Sequence, residues 1–125
     1  MSYNILADQL CSPNWFTYAS KQVLDFKFRG PRIIEEIASS SASLLCLQEV
    51  DRIDDFYDEK LKALGFNIVY GMREQKRIYI PGGPEVENHT LAICYKAEEW
   101  VLIDQELIDF SDLARVYPNL QEFAK

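Results

Sequence analysis

Two residues of this chain sit where they could hold a phosphate or a hard metal ion. Glu49 comes after the apolar run Ser43-Leu44-Leu45-Cys46-Leu47 and Gln48, at the end of a strand-like segment. Mg²⁺ takes oxygen ligands and is usually held by one or two carboxylates together with water and substrate phosphate. One carboxylate at the rim of a sheet meets that need, although a solvated glutamate where a strand meets a loop is the commoner case. Asn4 lies in Met1-Ser2-Tyr3-Asn4-Ile5-Leu6, a second strand-like segment. Its amide can donate to a phosphate oxygen and accept from a metal-bound water, or it can serve as an ordinary turn residue. Gln48 is expected to pack or hydrogen-bond locally. Asp51 is expected to cap the helix that follows, with service as a second oxygen ligand as the alternative.

Other chemistry-bearing residues are fewer. His89 is the only histidine, and so the only conventional general base near neutral pH. No carboxylate or nucleophile is paired with it by spacing, and a surface or strand-edge role is the expectation. Arg73, Lys76 and Arg77, flanked by Tyr70 and Tyr79, interleave charge with aromatic rings. That pattern suits single-stranded nucleic acid, whose bases stack while its phosphates meet cations; a solvated loop is the plainer reading. Lys27, Arg29 and Arg32 form a smaller cluster with the same two readings. No GxSxG, P-loop, GxGxxG or HExxH motif is present.

The elements that must position these residues follow from hydrophobic pattern and punctuation. Residues 1–6 predict a strand, and Ser12-Pro13-Asn14 could open a helical turn. Pro31 is expected at the start of a helix with Ile33, Ile34, Ile37 and Ala38 on one face. Residues 43–48 predict a strand covered on both faces, because the run is continuously apolar. A second helix is expected over 54–64, with Phe56, Leu61 and Leu64 inward and Gly65 as its stop. Further strands are expected at 66–70, 90–95 and 100–103, the last extending as far as Phe110. An exposed loop is expected over 73–88, and a helical turn from Ser111. The order is β-α-β-α-β-β-β, an α/β arrangement.

With 125 residues, 48% of them apolar, the chain is not compositionally disordered. No apolar run nears the roughly 20 residues that span a bilayer, and no secretory signal pattern is seen. The net charge is −7, which argues against a general nucleic-acid binder. The acidity is concentrated, however: residues 1–80 hold ten Lys/Arg against eleven Asp/Glu, and residues 81–125 hold three against nine. The three cysteines, Cys11, Cys46 and Cys94, read as buried free thiols in a reducing, intracellular setting, cytoplasmic or nuclear. One histidine and no CxxC pair leave no basis for a zinc site.

Several of these segments carry a family resemblance. Met1-Ser2-Tyr3-Asn4-Ile5-Leu6-Ala7, Ile33-Ile34-Glu35-Glu36-Ile37, Leu45-Cys46-Leu47-Gln48-Glu49-Val50-Asp51, Leu64-Gly65-Phe66 and Leu91-Ala92-Ile93-Cys94-Tyr95-Lys96 occur in order. Together they resemble the opening of the endonuclease/exonuclease/phosphatase superfamily. The branch is that of the poly(A)-shortening nucleases: Angel proteins, nocturnin and the carbon-catabolite-repressor-type deadenylases. Phe26-Lys27-Phe28-Arg29-Gly30-Pro31 and Tyr70-Gly71-Met72-Arg73 are most similar to Angel. The resemblance implies a four-layer α/β sandwich of two packed sheets, of which this chain is the N-terminal half, truncated at both ends. It implies hydrolysis of phosphodiester bonds with Mg²⁺, or Mn²⁺ in its place, on RNA such as poly(A) tails, in company with partners of an RNA-decay complex. By motif Glu49 corresponds to the metal-binding glutamate and Asn4 to the asparagine that positions metal, water or phosphate. The family's later half supplies an aspartate–asparagine pair and histidines for which no counterpart is found here. The chain alone is therefore expected to be inactive. The alternatives are a phosphatase of the same superfamily, or a non-catalytic RNA- or protein-binding fragment.

Overall fold

The computed structural model describes residues 1–71, 89–108 and 116–117. Arg73, Lys76 and Arg77, the loop through Gly82 and Gly83, Phe110 and the turn expected from Ser111 lie outside the described residues.

Four strands form one sheet: β1 (Ser2–Asn4), β2 (Leu44–Val50), β3 (Phe66–Tyr70) and β4 (Thr90–Lys96), in the order β1-β2-β4-β3. β1 runs parallel to β2, and β4 runs antiparallel to both β2 and β3. Between β1 and β2 the chain makes a 3₁₀ turn (Asp8–Leu10), a single-turn helix α1 (Lys21–Leu24) and the long helix α2 (Phe26–Ser39). Such a crossover is what a parallel pair demands. After β2, a wide π-type turn (Ile53–Tyr57) continues into α3 (Asp58–Ala63).

One face of the sheet makes the core. Leu45 and Leu47 from β2, Ala92 and Cys94 from β4, Ile5 and Phe66 meet Phe26, Ile33 and Ile37 of α2 and Ile53, Tyr57 and Leu61 of the second helical segment. Phe26, Phe56 and Tyr57 stack edge to face in a trio, with ring centroids 4.9 to 6.0 Å apart. Gly30 is small because it must be. A Cβ there would lie 3.0 Å from both the Phe26 and the Phe56 rings.

Several expectations need correction. α2 does not start at Pro31. Its cap is Asp25, whose carboxylate accepts from the Lys27 amide at 2.9 Å, and Pro31 lies inside the helix. The aromatic packing of Phe26 outweighs the backbone hydrogen bond that an interior proline forfeits. Ser12 opens a helical turn as expected: its hydroxyl accepts from the Asn14 amide at 3.3 Å and its carbonyl from the Trp15 and Phe16 amides at 3.0 Å. The helix expected over 54–64 is divided into the π-type turn and α3. Its most buried side chains are Leu61 and the unanticipated Tyr57, while Phe56 and Leu64 pack only partly against the core. Gly65 does end it, at φ +83°, with Lys96 donating to the Leu64 carbonyl at 2.6 Å. The stretch 100–103 is not a strand: it is exposed irregular chain, with Trp100 tied back to Ser43 through its indole N–H at 2.9 Å.

The largest correction concerns β2, which is covered on one face only. Leu44 is 40% exposed and Cys46 is exposed, and their neighbours Leu91 and Ile93 on β4 are 67% and 51% exposed. The apolar run was right about strand formation and wrong about cover, because the described residues contain one sheet and helices on one side of it. Cys46 is thus not a buried thiol, whereas Cys94 is.

That contrast is testable. Burial, aided by the neighbouring Cys46 charge, pushes the Cys94 thiol up to about 12. Iodoacetamide at mildly alkaline pH should alkylate Cys46 well before Cys94, as read by peptide mass mapping; equal labelling would contradict the placement. The stability held by the protonated Cys94 is complete below its ordinary value of 9.0 and is lost as pH rises toward about 12. The loss is at most about 1.4 kcal/mol per pH unit.

Candidate functional site

The site lies at the C-terminal ends of the parallel strands β1 and β2. Tyr3 pairs with Leu47 and Asn4 with Gln48. One residue later β2 is disrupted: Leu47 pairs with Ala92 but Val50 pairs with Thr90, so β2 carries one residue more than β4. The extra residue belongs to a bulge in which Glu49 adopts φ +59°. A left-handed backbone costs a non-glycine residue roughly 1–2 kcal/mol, and bulges of this kind re-aim side chains at sheet rims.

The bulge brings Glu49 onto β1. Asn4 Nδ2 donates to Glu49 Oε1 at 2.7 Å, and the Ala7 amide donates to Oε2 at 3.4 Å. Asn4 Oδ1 in turn accepts from the Leu6 amide at 3.0 Å. That bond settles which end of the Asn4 amide is oxygen, since only an acceptor can receive an N–H. Leu6 is itself left-handed, at φ +56°. Gln48 hydrogen-bonds locally, to Ser2 Oγ and the Cys46 carbonyl, as its position suggested.

Behind this pair lies a charged network. Arg29 Nη1 donates to the carbonyls of Ile5 (3.3 Å) and Leu6 (2.9 Å), Nε donates to Leu24 O at 3.2 Å, and Nη2 reaches Asp8 at 3.4 Å. Arg52 joins the same Asp8 at 3.3 Å, pairs with Asp55, and lies 4.4 Å over the Phe26 ring. Asp51 does not cap the next helical segment, whose cap residue is Arg52 with no side-chain bond. Its carboxylate instead accepts from the Gln9 amide at 3.2 Å. Burial pushes the Asp51 carboxyl above its usual range, with the Gln9 and Asp8 amides opposing. The same burial, with the Asp51 charge adding, raises the Tyr57 hydroxyl.

Sequence spacing pointed to Asn4 and Glu49, and the structure joins them across 45 residues. It missed Arg29 as part of their support. The signals for Arg29 are its place in the Lys27-Arg29-Arg32 cluster, which fits nucleic-acid contact or solvated charge, and in the Phe26–Pro31 segment, and neither points to a support of this pair. Of that cluster, Arg32 stacks at 3.6 Å on Phe28 and Lys27 is exposed. His89 is half-buried at the start of β4, and its Nδ1 has no partner among the described residues. No hydrogen bond links it to Asn4 or Glu49 among those residues.

A divalent cation can be tested against this donor set. Among the described residues no three His, Cys, Asp or Glu side chains come together as a ready cage. Glu49, however, presents a carboxylate held by a neutral amide and a backbone N–H, with no cation bonded to it among the described residues. One fixed carboxylate at an exposed rim fits Mg²⁺, which keeps most of its water and seldom uses an all-protein cage.

Comparisons with known proteins bear on the fold that carries this pair. The 3′-5′-exoribonuclease subunit Ccr4 of the CCR4-Not complex from Neurospora crassa is 31% identical over 124 residues, 97% of this chain and 15% of that protein. This chain is a homologue of the Ccr4-type exoribonucleases. Carbon catabolite repressor protein 4 homolog 6 of Arabidopsis thaliana is 30% identical over 116 residues, 90% of this chain and 14% of its own length. The crystal structure of ANGEL2, a 2′,3′-cyclic phosphatase, in complex with adenosine-2′,3′-vanadate superposes with a TM-score of 0.64 at 31% identity. The superposition covers 82% of this chain and 28% of ANGEL2. The sheet and helices described above are thus part of an endonuclease/exonuclease/phosphatase-type fold. The chain spans about a seventh of the length of these two Ccr4-type relatives. No family model matches it. Among the described residues no helix is long and apolar enough to cross a membrane.

Proposed function

We propose that this chain contributes the metal-binding and phosphate-positioning strand ends of an Mg²⁺-dependent phosphodiesterase acting on RNA, of the 3′–5′, poly(A)-removing type. It would be the N-terminal part of a larger catalytic domain working within an RNA-decay assembly in the cytoplasm or nucleus. The observation that carries the reading is the Asn4–Glu49 pair, fixed at 2.7 Å where two parallel strands end. Glu49 would hold Mg²⁺, or Mn²⁺ in its place; such an ion neutralises charge developing on the attacked phosphate. Asn4 keeps Glu49 Oε1 in place and retains a second N–H for a phosphate oxygen or a water. Arg73, Lys76 and Arg77 would supply contacts to the RNA backbone. Among the described residues no histidine or second carboxylate hydrogen-bonds to the pair; in this reading water activation would come from elsewhere in the catalytic domain, and this chain by itself would be inactive.

A second reading, a phosphatase, draws on the likeness to ANGEL2. Both readings place a phosphate ester at the same pair and differ in the bond cleaved. In a protein that joins this segment to the rest of a matched catalytic domain, Glu49→Gln should slow Mg²⁺-dependent shortening of an adenylated RNA by about two orders of magnitude. Undiminished shortening would sink the assignment. The same protein given an RNA ending in a 2′,3′-cyclic phosphate separates nuclease from phosphatase. Mg²⁺-dependent RNA cleavage by the 125-residue chain alone would contradict its proposed inactivity.

A further inference from the structure

We propose that Arg29 is a positioning residue for the Asn4–Glu49 site, acting through the two peptide groups between Ile5 and Ala7. This rests on the reading of Glu49 as a metal-binding carboxylate. A peptide group is planar, with its C=O and N–H pointing in opposite directions. The group joining Ile5 to Leu6 has its carbonyl on Arg29 Nη1 (3.3 Å) and its N–H on Asn4 Oδ1 (3.0 Å). The group joining Leu6 to Ala7 has its carbonyl on the same Nη1 (2.9 Å) and its N–H on Glu49 Oε2 (3.4 Å). Arg29 therefore holds both peptide planes from one side, and on the other side those planes aim the two side chains of the site.

The arrangement explains why the segment can stay in an unfavourable conformation. Leu6 between the two planes has φ +56°, which an unclamped leucine rarely keeps. It also explains why the residue is arginine. A guanidinium presents five donors in a rigid fork, and here Nη1 serves two carbonyls while Nε takes the Leu24 carbonyl and Nη2 reaches Asp8. An ammonium cannot hold all four in fixed directions. The Arg29 side chain is only 13% exposed, so water is a poor substitute for these bonds.

Arg52 provides the comparison that separates positioning from general support. It shares Asp8 with Arg29 and lies over the Phe26 ring, yet donates to neither the Ile5 nor the Leu6 carbonyl. The test uses the 125-residue chain with Arg29→Lys, Arg29→Gln and Arg52→Gln, each first shown to be folded by circular dichroism. Two quantities are read: amide hydrogen exchange at Leu6 and Ala7, and Mn²⁺ affinity by electron paramagnetic resonance, with Glu49→Gln as the reference for lost binding. Arg29→Lys should speed exchange at both amides at least about tenfold and weaken Mn²⁺ binding by about 10–100-fold, the usual effect of removing an outer support of a metal site. Arg52→Gln should change both by less than about twofold. Unchanged exchange in a folded Arg29 variant, or faster exchange with undiminished Mn²⁺ affinity, would overturn the proposal, as would an equal loss in Arg52→Gln. Should Arg29→Lys not fold, Arg29→Gln, which can still donate to one carbonyl, decides by the same readings. A parent chain that does not bind Mn²⁺, or a Glu49→Gln chain that binds it as well, refutes the metal reading of Glu49; the exchange rates then decide the clamp alone.

Discussion

Tyr57→Ala is expected to lower the stability of the chain by about 3–5 kcal/mol, the range for truncating a buried aromatic side chain. Tyr57 is 1% exposed and touches the two other rings of the trio, 5.1 Å from Phe56 and 6.0 Å from Phe26. Its removal also takes support from Phe26, over which the Arg52 guanidinium lies. A small domain holds only about 5–15 kcal/mol in total, and a sheet covered on one face should sit at the low end. The variant should therefore be largely unfolded at ambient temperature. Urea denaturation followed by circular dichroism checks this. A midpoint within experimental error of the parent's would mean that the aromatic trio is not the keystone of the helical layer. Tyr57→Phe keeps the ring and should lose far less.

The second large effect concerns the open face of the sheet. Leu44, Leu91 and Ile93 stand exposed side by side on β2 and β4, and Cys46 lies among them. Contiguous apolar surface of this kind associates, and the outer edges of β1 and β3 have no strand partner among the described residues. The isolated chain should self-associate at micromolar concentration. The double substitution Leu91→Lys, Ile93→Lys should release monomer. Withdrawing two large aliphatic side chains from a contact forfeits about 3–6 kcal/mol, more than a hundredfold in association. Sedimentation velocity decides it: a parent chain that stays monomeric at high concentration would show that this face needs no cover.

Much of this arrangement was readable beforehand, for reasons that differ by element. Strands β2, β3 and β4 announce themselves because β-branched and aliphatic runs bounded by turn residues have few other uses. Asn4 and Glu49 were singled out as strand-end oxygen donors, and parallel pairing of β1 with β2 then brings them into contact. The bulge at Glu49 was not readable, because a left-handed glutamate leaves no mark in residue type; it arises when the β1 contact is satisfied at the expense of register with β4. The inward role of Arg29 is absent from both readings of its cluster, nucleic-acid contact and solvated charge, because sequence does not say where a long side chain turns. α2 was begun five residues late because Pro31 was given more weight than the Asp25 cap and the buried Phe26. The strand expected at 100–103 fails because aliphatic residues need a neighbouring edge as well as propensity, and Val101 to Ile103 have none among the described residues.

The bonds around Glu49 also bear on how a cation would meet it. A free glutamate side chain gives up about 1.5–2 kcal/mol of rotamer freedom when it is pinned in one orientation. At Glu49 that freedom is already gone, because Asn4 holds one carboxylate oxygen and Ala7 the other. An arriving ion would have no side chain to immobilise, and a saving of that size corresponds to about a 10–30-fold gain in affinity over a mobile carboxylate. The left-handed backbone beneath it is likewise borne by the folding equilibrium and not by the binding step. Selection acting on stability elsewhere in this small sheet would thus be felt, indirectly, as selection on how tightly its rim can hold an ion.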